Sequence, residues 1–156
     1  MTNLLNGGLV ALTTWVITMA GVVHAAAEPA ISNCGGPARV DAIVEPWSEA
    51  TRTFANGRIR IIALDTAEPA CCSFHLAIIA PDPENELDLR QCVALNDGSE
   101  WTGFQYVDVQ GTESSYDPGR GLLLSVPVER YIDGTRSSKF FVDVRINQAT
   151  GAITVE

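Results

Sequence analysis

Gly121-Leu122-Leu123-Leu124-Ser125-Val126-Pro127-Val128-Glu129 and Phe140-Phe141-Val142-Asp143-Val144-Arg145-Ile146 decide the fold. In both stretches apolar residues recur at every second position, the period of a strand with one buried face. Leu122, Leu124, Val126 and Val128 share one such face. A tight loop centred on Asp133-Gly134-Thr135 sets them opposite Ile146, Val144, Val142 and Phe140 and places Glu129 opposite Lys139 on the outer face. A four-residue loop, Gln148-Ala149-Thr150-Gly151, then aligns Ile146 with Ile153 and Val144 with Val155, and puts Arg145 beside Thr154. One register satisfies both hairpins, which predicts a C-terminal three-stranded meander. A slip of one residue would invert every face. Pro127 has no amide donor, so its strand is expected at an edge or bulged.

Nearer the amino terminus, Asn56-Gly57 stands between Thr51–Ala55 and Arg58–Leu64. Asn-Gly adopts the positive φ angles of a two-residue hairpin turn, which sets Phe54 opposite Ile59 and Thr53 opposite Arg60. Ile61, Ile62 and Leu64 imply burial on both faces beyond the turn. Phe74, Leu76, Ile78 and Ala80 form one face of a further strand, with His75, Ala77 and Ile79 on the other. Arg39–Val44, Leu89–Leu95 and Phe104–Val109 read as additional strands, punctuated by Pro81-Asp82-Pro83, Asn96-Asp97-Gly98 and Tyr116-Asp117-Pro118-Gly119. No segment keeps a helical period over ten residues. The expected fold is all-β: a single antiparallel β-sandwich or small β-barrel of about eight or nine strands over residues 38–156.

All 10 basic and 19 acidic side chains lie after residue 27. Leu9–Val23 is an apolar run ahead of His24-Ala25-Ala26-Ala27, whose small residues offer cleavage after Ala25 or Ala27. The run is shorter than the ~20 residues of a membrane-spanning helix. Residues 1–27 are therefore expected to be a cleaved signal peptide, although Met1–Gly8 lacks the usual Lys or Arg. Residues 28–37 read as a loose segment. The product is expected to be secreted or periplasmic, with no stable membrane insertion after cleavage.

The net charge is −9, with a single lysine, Lys139. Phosphate-backbone binding needs clustered Lys and Arg, so nucleic acid is excluded as a partner. Strong negative charge confers solubility and favours encounter with a basic protein partner.

Four cysteines, Cys34, Cys71, Cys72 and Cys92, follow the signal segment, an even count that reads as two disulfides. Bridging adjacent residues demands an unusual peptide geometry, so Cys34 is expected to join one of Cys71 and Cys72, and Cys92 the other. The competing reading is a metal site or small hydrolase using His75 with Cys71 and Cys72. On a strand, adjacent residues face opposite ways, which disfavours one shared ion. His75 is the only histidine after the signal segment, and the chain has no nucleophile elbow, zinc-protease motif or phosphate loop. No metal or other cofactor is expected.

Asp82, Glu84, Glu86 and Asp88 alternate through an acidic stretch that resembles a calcium loop. Counted from Asp82, however, Leu87 and Val93 stand where an EF-hand needs Gly and Glu. The stretch is expected to be a solvated loop and the first place to look for contact with a basic partner, together with Trp101. Trp47 and Trp101, flanked by turn residues, are expected to plug the ends of the core. The resulting functional expectation is a non-catalytic binding or accessory protein, an inhibitor or modulator of a basic envelope protein.

Overall fold

The computed structural model describes residues 27–156, so the expected signal segment, Ala27 apart, lies outside the described residues. Among those residues are ten strands: β1 (Ala30–Asn33), β2 (Thr51–Phe54), β3 (Ile59–Asp65), β4 (Phe74–Pro81), β5 (Arg90–Asn96), β6 (Tyr106–Val107), β7 (Glu113–Asp117), β8 (Gly121–Asp133), β9 (Arg136–Ile146) and β10 (Ile153–Val155). They form two antiparallel sheets that do not close into a barrel. The first runs in the order β1-β5-β4-β3-β2. The second is ordered β10-β9-β8, with β6 and β7 pairing with successive parts of the far side of β8. No helix among the described residues is long and apolar enough to cross a membrane.

The pairs set by alternation are the pairs observed. Leu122, Leu124, Val126 and Val128 stand opposite Ile146, Val144, Val142 and Phe140, and Ile153 and Val155 opposite Ile146 and Val144. These side chains meet Ile59, Ile61, Leu76, Ile78 and Leu95 of the first sheet in one core. Each such burial contributes roughly 1.5–3 kcal/mol. Asn56 and Gly57 both have positive φ, and Phe54 pairs with Ile59 as their turn requires. The strand of Pro127, β8, is not an edge strand, and its register shift lies at Tyr131/Asp133, away from Pro127. The Pro127 carbonyl accepts from the Asp108 amide at 2.9 Å on the side where β6 has ended and β7 has not begun, so its missing donor faces no strand.

Two further local expectations are corrected, and one strand appears that the alternation does not announce. Arg39–Val44 is not a strand: Val40–Ala42 forms a 3-10 turn. This turn buries Ala42 against Leu64 and Ala77 on the outer face of the first sheet, which explains why β3 is apolar on both sides. Residues 28–37 are not loose throughout, because Ala30–Asn33 pair with β5 and shield one of its edges. Glu113–Asp117 form β7 although all five residues are exposed, because β8 supplies the hydrogen-bonding partner. A strand held by pairing alone leaves no hydrophobic alternation to read.

Candidate functional site

β3, β4 and β5 have two ends, and the structure divides the expected contact residues between them. Asp82, Glu84, Glu86 and Asp88 lie in the β4–β5 loop. Trp101 lies in the β5–β6 loop, at the opposite end of β4, an eight-residue strand that at ~3.3 Å per residue puts the two loops roughly 25 Å apart.

The acidic loop is solvated and folded on itself. Asp82 accepts the Glu84 amide at 3.1 Å and Asn85 accepts the Leu87 amide at 3.0 Å, while Glu84, Glu86 and Asp88 are exposed. Among the described residues no three His, Cys, Asp or Glu groups converge to hold a metal ion.

The other end holds a pocket of about 250 Å³, lined among others by Arg39, Asp65, Glu68, His75 and Trp101. His75 forms its floor. It is 1% exposed and lies on the outer side of β4 with Ala77. Its Nδ1 is 2.8 Å from Asn96 Oδ1. The Asn96 amide nitrogen donates to the Ala94 carbonyl at 3.2 Å and to Ser32 Oγ at 2.9 Å. A carbonyl only accepts, so the amide orientation is determined and Oδ1 is the atom facing His75. Nδ1 therefore carries the proton and donates, which leaves Nε2 with a lone pair. Among the described residues no hydrogen bond engages Nε2. Burial pushes the imidazole below its ordinary pKa of 6.5, against the opposing pull of the Asn96 bond and of the Asp65 and Glu68 carboxylates.

The walls come from distant loops. Asp65 ends β3 and accepts the Ala67 amide at 2.8 Å, which turns the chain toward Glu68. Thr66 N–H donates to the Ser73 carbonyl at 3.0 Å and closes the base of this β3–β4 loop. Within it Ala67, Cys71 and Cys72 all have positive φ, a conformation costly for residues with a Cβ. The β5–β6 loop is fixed by Asp97, whose carboxylate takes Arg130 Nε at 2.8 Å while that guanidinium lies over the Phe140 ring. Gly103 passes so close to the β3–β4 loop that a Cβ there would stand 2.2 Å from the Cys72 carbonyl. Trp101 is not a core plug: it is 68% exposed, and the rim of its six-membered ring rests on Gly36, where a Cβ would collide at 1.8 Å. Trp47 is likewise exposed, at 54%. Arg39 directs its guanidinium at Asp41, with Nε to Oδ1 at 2.9 Å.

The disulfide pairing also differs from expectation. Cys34 bonds Cys92, with Cα atoms 5.3 Å apart. Cys71 bonds its neighbour Cys72. Once β1 pairs Asn33 with Val93, the next residue, Cys34, falls beside Cys92, and its amide donates to the Cys92 carbonyl at 3.1 Å. That leaves Cys71 and Cys72 only each other. With both sulfurs bonded they offer neither a thiolate ligand nor a nucleophile beside His75.

Asp65, Glu68 and Asn96 were not legible as site residues, since no short-range spacing relates them. The one local clue is Gly35-Gly36 directly after Cys34, a sign of close backbone approach. Comparison of the chain with family models, curated proteins and solved structures finds no match.

Proposed function

We propose that this protein is an exported, non-catalytic binding domain in which two antiparallel sheets, stacked as a sandwich, present the His75 end to a basic protein partner in the secreted or periplasmic space. The observation that carries the reading is the company His75 keeps. Its Nδ1 is committed to the neutral Asn96 amide, its cysteine neighbours are bonded to each other, and the unpaired ionised groups around it are carboxylates. A hydrolase needs an activated nucleophile within hydrogen-bond reach of the imidazole, and none of its observed bonds is to one. A receptor for positive charge needs acceptors, and these are present. Four bridged cysteines agree with an oxidising compartment.

The test is capture from the native cell envelope with the full chain as bait, followed by binding measurements between the two purified proteins. The expected result is a saturable complex with a protein of high isoelectric point, weakened by salt and by Glu68→Gln. A neutral or acidic partner, or turnover of a small substrate abolished by His75→Gln, would overturn the reading.

A further inference from the structure

We propose that the Cys71–Cys72 bridge is a redox-sensitive switch in the pocket wall: a dithiol reductant opens it in the folded protein while Cys34–Cys92 stays closed. The switch is independent of what the pocket binds, so its failure would leave the binding reading untouched.

The two bridges stand in opposite relations to the fold. Cys34–Cys92 joins residues 58 apart, tying the end of β1 to β5, and so removes much of the freedom of the unfolded chain. Linkage is reciprocal, and a bridge that stabilises the fold is itself protected by folding. Cys71–Cys72 joins sequence neighbours and closes no chain loop, so folding gives it no such protection. The backbone points the same way. Cys71 has φ 147° and Cys72 φ 73°, and Ala67 in the same loop has φ 56°, all in the region that a Cβ disfavours. A closed ring through both side chains and the peptide between them ties these dihedrals together. Opening the ring lets both residues return to ordinary extended or helical backbone.

The bridge lies within reach of a reductant. Residues 67–70 are exposed and both cysteines are half-buried beside them. A thiolate of the reductant attacks one sulfur and forms a mixed disulfide as the Cys71–Cys72 bond breaks. The second thiol of the reductant then displaces the protein, which leaves two thiols on the chain and a disulfide on the reductant. Two electrons and two protons have passed to the protein.

The bonds that flank the loop set the extent of the change. The Thr66 amide and hydroxyl both donate to the Ser73 carbonyl, at 3.0 and 3.3 Å, and Phe74 and Phe104 exchange backbone bonds of 3.0 and 2.7 Å. These anchors hold both ends of the loop to the strands. Between them, Ala67 and Glu68 line the pocket over His75, and the Cys72 carbonyl packs against Gly103 so closely that no side chain fits between them. Opening the bridge therefore moves the Glu68 wall and the Gly103 contact and spares the sheets.

The experiment exposes the full chain to increasing dithiothreitol under native conditions, traps thiols with iodoacetamide and locates them by peptide mass spectrometry, while amide NMR follows the fold. Cys71 and Cys72 are expected to be alkylated together at a reductant concentration at least ~tenfold below that needed for Cys34 and Cys92. At that point the amide signals of residues 67–72 and Gly103 should have moved, those of β8 and β9 should not, and reoxidation should restore the starting spectrum. Cys71→Ser combined with Cys72→Ser should stay folded and reproduce the reduced spectrum without any reductant. Opening of Cys34–Cys92 first or at the same concentration, loss of the fold when Cys71–Cys72 opens, or unchanged signals at Glu68 and Gly103 after reduction would each overturn the proposal.

Discussion

The two ends of the first sheet invite comparison because the more highly charged one is the less organised as a site. The β4–β5 loop carries Asp82, Glu84, Glu86 and Asp88 within seven residues, yet its bonds are turns within itself and its carboxylates mostly point to water. At the Phe74 end fewer carboxylates are unpaired, but they surround a buried imidazole whose proton is held on one nitrogen by a chain of fixed bonds. Local charge density makes a field that speeds encounter. Converging groups from segments far apart in the chain make a place where one particular group fits.

The largest expected effect separates the two ends by what holds them. The Cys34–Cys92 bridge clamps the segment that carries Gly36 and Arg39 to the pocket, and it spans 58 residues. In the chain-entropy account a loop of this length contributes roughly 4 kcal/mol. Cys34→Ser together with Cys92→Ser should lower unfolding stability by about that amount and release the pocket wall, leaving the acidic loop unaffected. Denaturant unfolding combined with amide exchange checks this. Uniform loss of protection at both ends would erase the distinction.

Next in size is Asn96→Leu. It removes the acceptor from the His75 Nδ1–H inside the protein, which should cost roughly 1–3 kcal/mol. It also frees the imidazole to place its proton on either nitrogen, so the nitrogen chemical shifts of His75 should change along with the melting temperature. A stability loss with unchanged tautomer would mean that another group holds the ring.

These two residues also mark where the sequence stops being readable. The β8–β9–β10 register follows from alternation because strands joined by short loops pair with their neighbours, and a single slip would bury charged residues such as Arg145 and Asp143. The outer face of β4 follows the same rule, which correctly put His75 on the side of Ala77. The pocket has no such rule. Its residues come from the end of β3, the loops after β3 and β5, and the segment after β1, and their meeting depends on β1 pairing with β5. Ala30–Asn33 has too little pattern to announce that pairing. Without that strand the sequence offers no reason to place Cys34 beside Cys92, although its own amide lies against the Cys92 carbonyl.

A smaller effect concerns acid. With its pKa held below 6.5 by burial, His75 stays neutral in the folded protein while the unfolded chain takes up a proton. The contribution is thus fully present above 6.5 and is lost as pH falls through the lowered folded value. Asp65, Glu68, Arg39 and Asp41 also face this pocket, so the imidazole must be followed directly. Its NMR titration midpoint should lie below 6.5, and stability should decline over the same interval. A midpoint at or above 6.5 would contradict the burial argument.

The smallest effect is expected where the sequence is most acidic. Replacing Asp82 and Asp88 by Asn, and Glu84 and Glu86 by Gln, keeps the side-chain oxygen that caps the Glu84 amide and removes only charge from a mostly solvated loop. Stability should move by less than about 0.5 kcal/mol, the usual range for surface changes. Binding to a basic partner should also be nearly unaffected at equilibrium, but association should slow at low salt, because a field at one end still attracts a cation from a distance. Trp101→Ala should do the reverse, hastening dissociation and sparing the association rate. Stopped-flow kinetics on both variants separates the roles. If the four-fold neutralisation instead raises the dissociation rate as much as Trp101→Ala does, the acidic loop itself touches the partner, and the two ends form one extended interface.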